Sequence, residues 1–249
     1  MTNPIVIALI TVTFVAAGFV KGVVGMGLPT VAMGLLSLVM APAASAALLI
    51  VPSLVTNIWQ LMAGPDFVAL MRRLATMMIA VLVGTVLSIG VLTGSSSSLA
   101  SAALGGILAA YGIVGLAARR FKVPPRVEPW LSPLVGLVTG LIAGATGVFV
   151  IPAVPYLSSL GLAKEELIQA LGLSFTVSTV ALALALAMTG QFALGSAGGS
   201  LLAVVPALAG MFIGQRVRNQ LQPESFRRWF FIGLVVLGVY MLARALLRG

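Results

Sequence analysis

Long apolar runs separated by short polar stretches fill most of the chain. Six runs of roughly 18 to 23 residues are long enough to cross a hydrocarbon core of about 30 Å as helices. They lie at 45–62, 74–93, 98–118, 167–189, 197–215 and 227–247. Four shorter runs come in two pairs, at 5–20 and 28–40, and at 131–143 and 150–160. The pattern predicts an all-α polytopic membrane protein.

A glycine-rich stretch interrupts each pair of short runs. The first reads GFVKGVVGMGLP, at 18–29, and the second GLIAGATGVFVIP, at 140–152. A short helix, a break and another short helix predict a hairpin that enters the membrane and turns back. Two tilted helices that both cross the membrane are the alternative, because length does not settle tilt.

The two halves of the chain align with each other. The aligned pairs are Gly18 with Gly140, Gly22 with Gly144, Gly25 with Gly147, Pro29 with Pro152, Gly84 with Gly210 and Gly112 with Gly238. Each half is predicted to form a broken-helix hairpin followed by three membrane-spanning helices. Three crossings is an odd number, so the repeats, 1–118 and 131–249, would be inverted, as around the binding site of a secondary transporter. Chance matching among small residues is the alternative.

Charge orients this arrangement. Only 8% of the residues are charged, and the chain has no cysteine and no histidine, which excludes disulfides, thiol catalysis and Cys/His metal sites. Eleven of the 14 basic residues lie in four loops: Arg72, Arg73, Arg119, Arg120, Lys122, Arg126, Lys164, Arg216, Arg218, Arg227 and Arg228. The positive-inside rule makes these loops, and the linker 119–130, cytoplasmic.

Both termini are then predicted to lie outside. Arg244 and Arg248 go against the rule. The net charge of +9 orients loops and does not indicate nucleic-acid binding. The first twenty residues lack a charged n-region, so they are predicted to be a retained membrane segment and not a signal peptide.

The breaks can supply backbone groups that bind an anion. A helix N-terminus leaves N–H groups free and carries about half a positive charge. Proline suits such a start, so Pro29 and Pro152 predict where the second hairpin arms begin. Gly25, Gly27 and Gly147 allow positive φ at the tips. Two inverted hairpins would bring both helix ends to the bilayer midplane. The alternative for the glycines is close helix packing, above all at Gly18, Gly22, Gly140 and Gly144.

Lys21 is the one charged residue inside an apolar run, and no acid lies in any run. Intramembrane charges usually face a cavity or a partner, so an uncompensated cation favours an anionic ligand. Snorkelling to an interface is the alternative, and the aligned residue in the second half is Ala143.

Polar residues follow on the next segment of each half. Ser53, Thr56, Asn57 and Gln60 share one helix face, and Ser174, Thr176, Ser178 and Thr179 form the second set. For these residues interhelical hydrogen bonding is the alternative to ligand contact.

These stretches resemble the sulfite exporter TauE/SafE family of bacterial membrane permeases. The resemblance rests on GFVKGVVGMGLPTVAMGLL, on PSLVTNIWQ at 52–60, and on GLIAGATGVFVIPAVPYL in the second half. It implies transport of sulfite, of sulfonates such as sulfoacetate, or of related anions. It also implies that the first-break glycines, Pro29, Asn57 and Gln60 line the path. The second tip departs from the first, with Phe149 where Gly27 stands.

We therefore expect a bacterial inner-membrane protein that exports a small anion, either sulfite or an organosulfonate, by alternating access, with the anion bound between the two tips. The expected binding residues are Lys21, Gly25, Gly27, Pro29, Asn57, Gln60, Gly147, Pro152, Ser174 and Ser178. No catalytic residue, metal or cofactor is expected. An anion channel and a membrane partner protein without transport are the alternatives. Faces of small residues permit a homodimer but do not require one.

Overall fold

The structure, a computed structural model, describes residues 4–94, 97–117, 122–192, 194–218, 220 and 223–248. Regular secondary structure in these ranges is helical. The first half contains α1 (Pro4–Val24), α2 (Leu28–Leu36), α3 (Pro42–Met62), α4 (Phe67–Thr93) and α5 (Ser97–Ala117). The second half contains α6 (Glu128–Thr146), α7 (Ala153–Ser159), α8 (Lys164–Met188), α9 (Leu194–Leu202), α10 (Val204–Val217) and α11 (Pro223–Arg248).

Eight stretches within these ranges are long and apolar enough to cross a membrane. Six overlap the predicted long runs, although the run 197–215 is divided between α9 and α10, and the other two are α1 and α6. The predicted lengths of the first hairpin arms, 5–20 and 131–143, were too short, since α1 has 21 residues and α6 has 19. The second arms are short, with nine residues in α2 and seven in α7. Each hairpin thus combines one arm of spanning length with one that is too short to span.

The first arms are long because their glycines do not end the helix. A Cβ built on Gly18 would lie 2.1 Å from the carbonyl oxygen of Ala207 in α10, and one built on Gly140 would lie 2.3 Å from that of Val81 in α4. Helix backbones can approach this closely only where glycine removes the side chain. The packing role predicted for these glycines is confirmed.

The helices surround a central pair. In α3 and α8, 61% of the most apolar stretch is buried inside the protein, compared with 22–44% in the other six spanning-length helices. Around this pair, α1 packs on α10, α4 on α6 and α5 on α11. Polar side chains on α3 and α8 are therefore enclosed by protein, and these two helices contribute Asn57, Gln60, Ser174 and Ser178 to the candidate site.

Pro52 interrupts the hydrogen bonding of α3, and a serine from α9 compensates for it. Proline has no N–H, so the carbonyl of Leu48 lacks its usual helical donor. The Ser200 hydroxyl donates to that carbonyl at 2.8 Å and accepts from the backbone N–H of Val51 at 3.0 Å. Ser200 of α9 thus binds the backbone of α3 at the point where Pro52 interrupts its hydrogen bonding.

Candidate anion-binding site

The first break is a left-handed turn made by two glycines. Gly25 has φ 81° and Gly27 has φ 105°, a conformation in which a side chain would be strained. Gly27 caps α2, Pro29 lies in the first turn, and the first helical hydrogen bond of α2 runs from Val31 N–H to the Gly27 carbonyl at 2.9 Å. A Cβ built on Gly25 would meet no heavy atom within 4 Å. The turn therefore has open space beside it.

Lys21 lies one turn before this break and points into the helix bundle. Only 4% of the residue is exposed, so its side chain is enclosed by protein and does not extend to the surface, as snorkelling would require. Its Nζ donates to Thr56 Oγ1 at 3.1 Å and to Asn57 Oδ1, both on α3. Asn57 Nδ2 in turn donates to Thr179 Oγ1 on α8 at 3.2 Å. A continuous set of hydrogen bonds thus joins α1, α3 and α8.

The groups around Lys21 are neutral. Its hydrogen-bond acceptors are a hydroxyl and an amide oxygen. The ion pair found within the described ranges lies elsewhere, where Arg73 Nε and Nη2 donate to Glu128 at 2.6 and 2.8 Å. Burying a charge without a charged partner is costly. A protonated Lys21 has only neutral hydrogen-bond acceptors in the described structure, so an anion from outside the protein can act as its counter-ion.

Two glutamines close one end of the central helix pair. Gln60 Nε2 donates to the Ile168 carbonyl of α8 at 3.2 Å, and Gln169 Nε2 donates to the Leu61 carbonyl of α3 at 3.1 Å. We call this reciprocal pair the glutamine clamp. Gln60 Nε2 also lies 3.2 Å from the Gly25 carbonyl, so the clamp includes the tip of the first hairpin.

The clamp extends beyond the helix pair on the side of α8. Gln169 Oε1 accepts from the backbone N–H of Asp66 at 3.2 Å, in the loop before α4. The clamp therefore links the hairpin, α3, α8 and the start of α4 at one end of the molecule.

Several buried hydroxyls on the central pair have no protein partner. The side-chain oxygens of Ser53, Ser174 and Ser178 are buried without a hydrogen bond. All three residues have no measurable exposure. Buried polar groups are normally satisfied by protein, water or ligand. These serines therefore offer hydrogen bonds inside the bundle, although they do not bond directly to Lys21 or Asn57.

The second break has a similar turn but apolar surroundings. Gly147 has φ 72° and ends α6, and Pro152 immediately precedes α7. Three of the four residues between them, Val148, Phe149 and Val150, have no exposure. A side chain within the turn satisfies one of its backbone donors, since Thr146 Oγ1 accepts from the Val148 N–H at 3.2 Å.

The predicted site residues fall into separate neighbourhoods. Lys21 bonds with Asn57, and Gly25 with Gln60. A Cβ built on Gly147 would instead lie 3.0 Å from Met33 Sδ, on α2. Met33 is six residues beyond Gly27, or about 9 Å along the helix. A single pocket between both tips stays a prediction.

Sequence reasoning missed two partners. Thr179 appeared among the polar residues of α8 but not as the residue that bonds Asn57, although aligning SLVTN at 53–57 with FTVST at 175–179 pairs these two positions. Gln169 was not singled out, although an amide near the start of a membrane helix is costly in lipid and usually faces protein.

These features define a multi-pass helical membrane protein that encloses a lysine and several polar groups between its central helices. The model of the sulfite exporter TauE/SafE family matches residues 10–241, and the chain belongs to this family. The predicted family is thereby confirmed. No curated protein and no solved structure matches the chain.

Proposed function

We propose that this protein exports a small oxyanion, sulfite or an organosulfonate such as sulfoacetate, by alternating access. The observation that carries the proposal is Lys21, a buried amine whose neighbours in the described structure are neutral oxygens. Membership of a family of sulfite exporters makes a sulfur oxyanion the first substrate to test.

The anion is proposed to bind between Lys21 and the first hairpin tip. Gly25 has open space beside its backbone, and the start of α2 after Gly27 presents N–H groups that precede its first helical hydrogen bond. Asn57 and Gln60 supply amide groups on the α3 side. From α8, Ser174 and Ser178 add hydroxyls without protein partners. Gly147 and Pro152 would join this site if the second hairpin moves during transport.

Equivalent contacts in the two halves support the proposal of inverted repeats. Gly18 packs on Ala207 and Met211 of α10, while Gly140 packs on Val81 and Thr85 of α4. The alignment that pairs Gly18 with Gly140 and Gly84 with Gly210 also pairs these partners. Inverted repeats exchange their conformations when a transporter alternates its access, so the arrangement favours a carrier over a channel.

Orientation makes export the favoured direction. With the basic loops in the cytoplasm of a bacterium, the inner-membrane potential drives an anion outward by about 2.3 kcal/mol per charge per 100 mV. The glutamine clamp then lies at the cytoplasmic end, next to the loop that contains Asp66. Cysteine labelling of this cysteine-free chain tests the orientation, because Gln191→Cys should react with an impermeant reagent from outside and Pro65→Cys should not.

Flux from reconstituted liposomes tests the function. Liposomes that contain the purified protein are loaded with radiolabelled sulfite, sulfoacetate, sulfate or acetate, and efflux is measured with and without a potassium-diffusion potential. We expect saturable efflux of a sulfur oxyanion that an interior-negative potential accelerates. Efflux that rises without saturation would favour a channel. No flux of any anion would contradict transport.

A further inference from the structure

Arg244 departs from the charge pattern of the chain, and in the fold it makes a specific hydrogen bond. It lies near the end of α11, away from the four basic loops. Its Nη1 donates to the carbonyl oxygen of Leu38 at 3.1 Å, in the turn that follows α2. A guanidinium carries five N–H donors, and this contact uses one of them. Arg244 thus anchors to the first half while further donors stay unassigned in the described structure.

A cavity of about 470 Å³ opens beside Arg244, between the end of α2 and the starts of α3 and α5. Three serines, Ser37, Ser98 and Ser101, line it together with Arg244. The Ser37 hydroxyl oxygen is buried and has no hydrogen-bond partner. The cavity therefore combines one cation with three serine hydroxyl groups, that of Ser37 being buried and without a partner, which is a donor set suited to an oxyanion.

No acidic residue lines this cavity. The five acids of the chain are Asp66, Glu128, Glu165, Glu166 and Glu224, and none of them is among the lining residues. Pro42, which lines the cavity, is separated along α3 from Gln60 by 18 residues, or about 27 Å. The cavity and the glutamine clamp thus lie near opposite ends of the same helix, so the cavity is distinct from the site around Lys21.

We propose that the cavity around Arg244 is a second oxyanion site, in which the guanidinium and the serine hydroxyls bind a group with negatively charged oxygens. Two sources supply that chemistry: a free sulfur oxyanion at this face of the membrane, or the phosphate of an anionic phospholipid. The site is separate from the transport step, so binding can be measured without flux.

Thermal stabilisation of the purified protein tests the site. Wild-type protein in zwitterionic detergent micelles is melted with increasing sulfite, or with increasing phosphatidylglycerol, at constant ionic strength set by chloride. The titrations are repeated in Arg244→Gln, which keeps an N–H donor for Leu38 but loses the charge. Arg228→Gln, at the other end of α11, is the matched control. We expect at least one probe to raise the melting temperature, with an apparent affinity at least about tenfold weaker in Arg244→Gln only.

Further variants separate this site from the one around Lys21. In a Lys21→Met background the stabilisation should persist, and adding Arg244→Gln should remove it. Arg244→Lys keeps the charge but lacks the planar guanidinium, so this variant should bind the probe with intermediate affinity. It replaces Arg244→Gln in the comparison if that variant folds poorly. Stabilisation by sulfite or by the lipid identifies the source. In the Lys21→Met background, equal affinities with and without Arg244→Gln, or stabilisation by neither probe, would overturn the proposal. If the reconstituted wild-type protein shows no flux of any anion but is still stabilised through Arg244, the proposed transport is refuted and this second site is supported.

Discussion

At the first break Lys21 bonds with Asn57 and Gln60 bonds with Gly25, whereas at the second break Ala143 stands in the lysine's place and Gly147 packs against Met33. Both breaks end a helix of spanning length at a glycine with positive φ. The two breaks thus share their backbone geometry, but only the first contains a charged side chain. We expect substitutions in the shared backbone to have matching effects in both halves, and those at the polar groups to act in one half only.

Lys21→Met should give the largest effect on transport. Hydrogen bonds to a charged group contribute about 1.5 to 3 kcal/mol, which corresponds to a loss of about 10- to 100-fold in apparent affinity or flux. The protein should fold with an unchanged or higher melting temperature, because methionine fills the buried position without a charge. Liposome efflux and thermal melting of the same preparation measure both quantities. Lys164→Met, in the first turn of α8, is the control and should transport normally.

Ala143→Lys tests the other side of the same comparison. If the charge is needed specifically at the first break, a lysine at the aligned position of the second half should not restore efflux to the Lys21→Met variant. Restored efflux would show that the two breaks are interchangeable and would contradict the one-sided site.

Asn57→Asp separates an electrostatic role from a packing role. The carboxylate would stand beside Lys21 and neutralise it from within the protein, so the substrate anion would lose its partner. We expect efflux to fall about as far as in Lys21→Met, and further than in Asn57→Leu, while the melting temperature does not fall. A packing role predicts the reverse order, because aspartate is nearly the same shape as asparagine and leucine is not. Efflux assays on the two variants, matched for expression, measure that order.

Much of the first break could be predicted from the sequence because its signals are local. Glycine and proline at the tip and a single lysine in an apolar run act through backbone geometry and solvation, which neighbouring residues determine. The lengths of α1 and α6 could not be predicted in the same way. In sequence, Gly18 and Gly140 are compatible with a helix break or with close packing, and only the contacts with α10 and α4 show that the helices continue through them.

The bonds across the two halves were also beyond sequence reasoning. Asn57 and Thr179 are on the matching polar faces that the sequence predicts, yet their contact depends on how α3 rotates against α8. The apolar surroundings of Gly147 arise in part from Met33, a residue of the other half.

Gly18→Ala and Gly140→Ala should destabilise the protein by similar amounts, because both act on the shared backbone. Each new Cβ would meet a backbone carbonyl of the neighbouring helix, at 2.1 and 2.3 Å, and such overpacking costs about 1 to 3 kcal/mol. Melting temperatures of the purified variants measure the effect. Gly233→Ala, where a Cβ would meet no heavy atom within 4 Å, is the control and should be neutral or stabilising. Unequal losses at Gly18 and Gly140 would contradict an equivalent role in the two halves.

The glutamine clamp should give the smallest effect, because each member contributes amide hydrogen bonds that are worth about 0.5 to 1.5 kcal/mol apiece. Gln169→Ala removes the hydrogen bonds to Leu61 and Asp66 and leaves the bond to Gly25 intact. Gln60→Ala removes the bonds to Ile168 and to Gly25, so it releases the hairpin tip. Both variants should shift the protein toward a form that is open at this end, by up to about tenfold, with Gln60→Ala shifting it further. A cysteine placed at Val24, the last residue of α1 and next to Gly25, reports the shift, since an impermeant thiol reagent added from the side of the Asp66 loop should label it faster in each variant. Labelling rates equal to those of the parent would show that the end of the central pair is held closed by helix packing and not by the two amides.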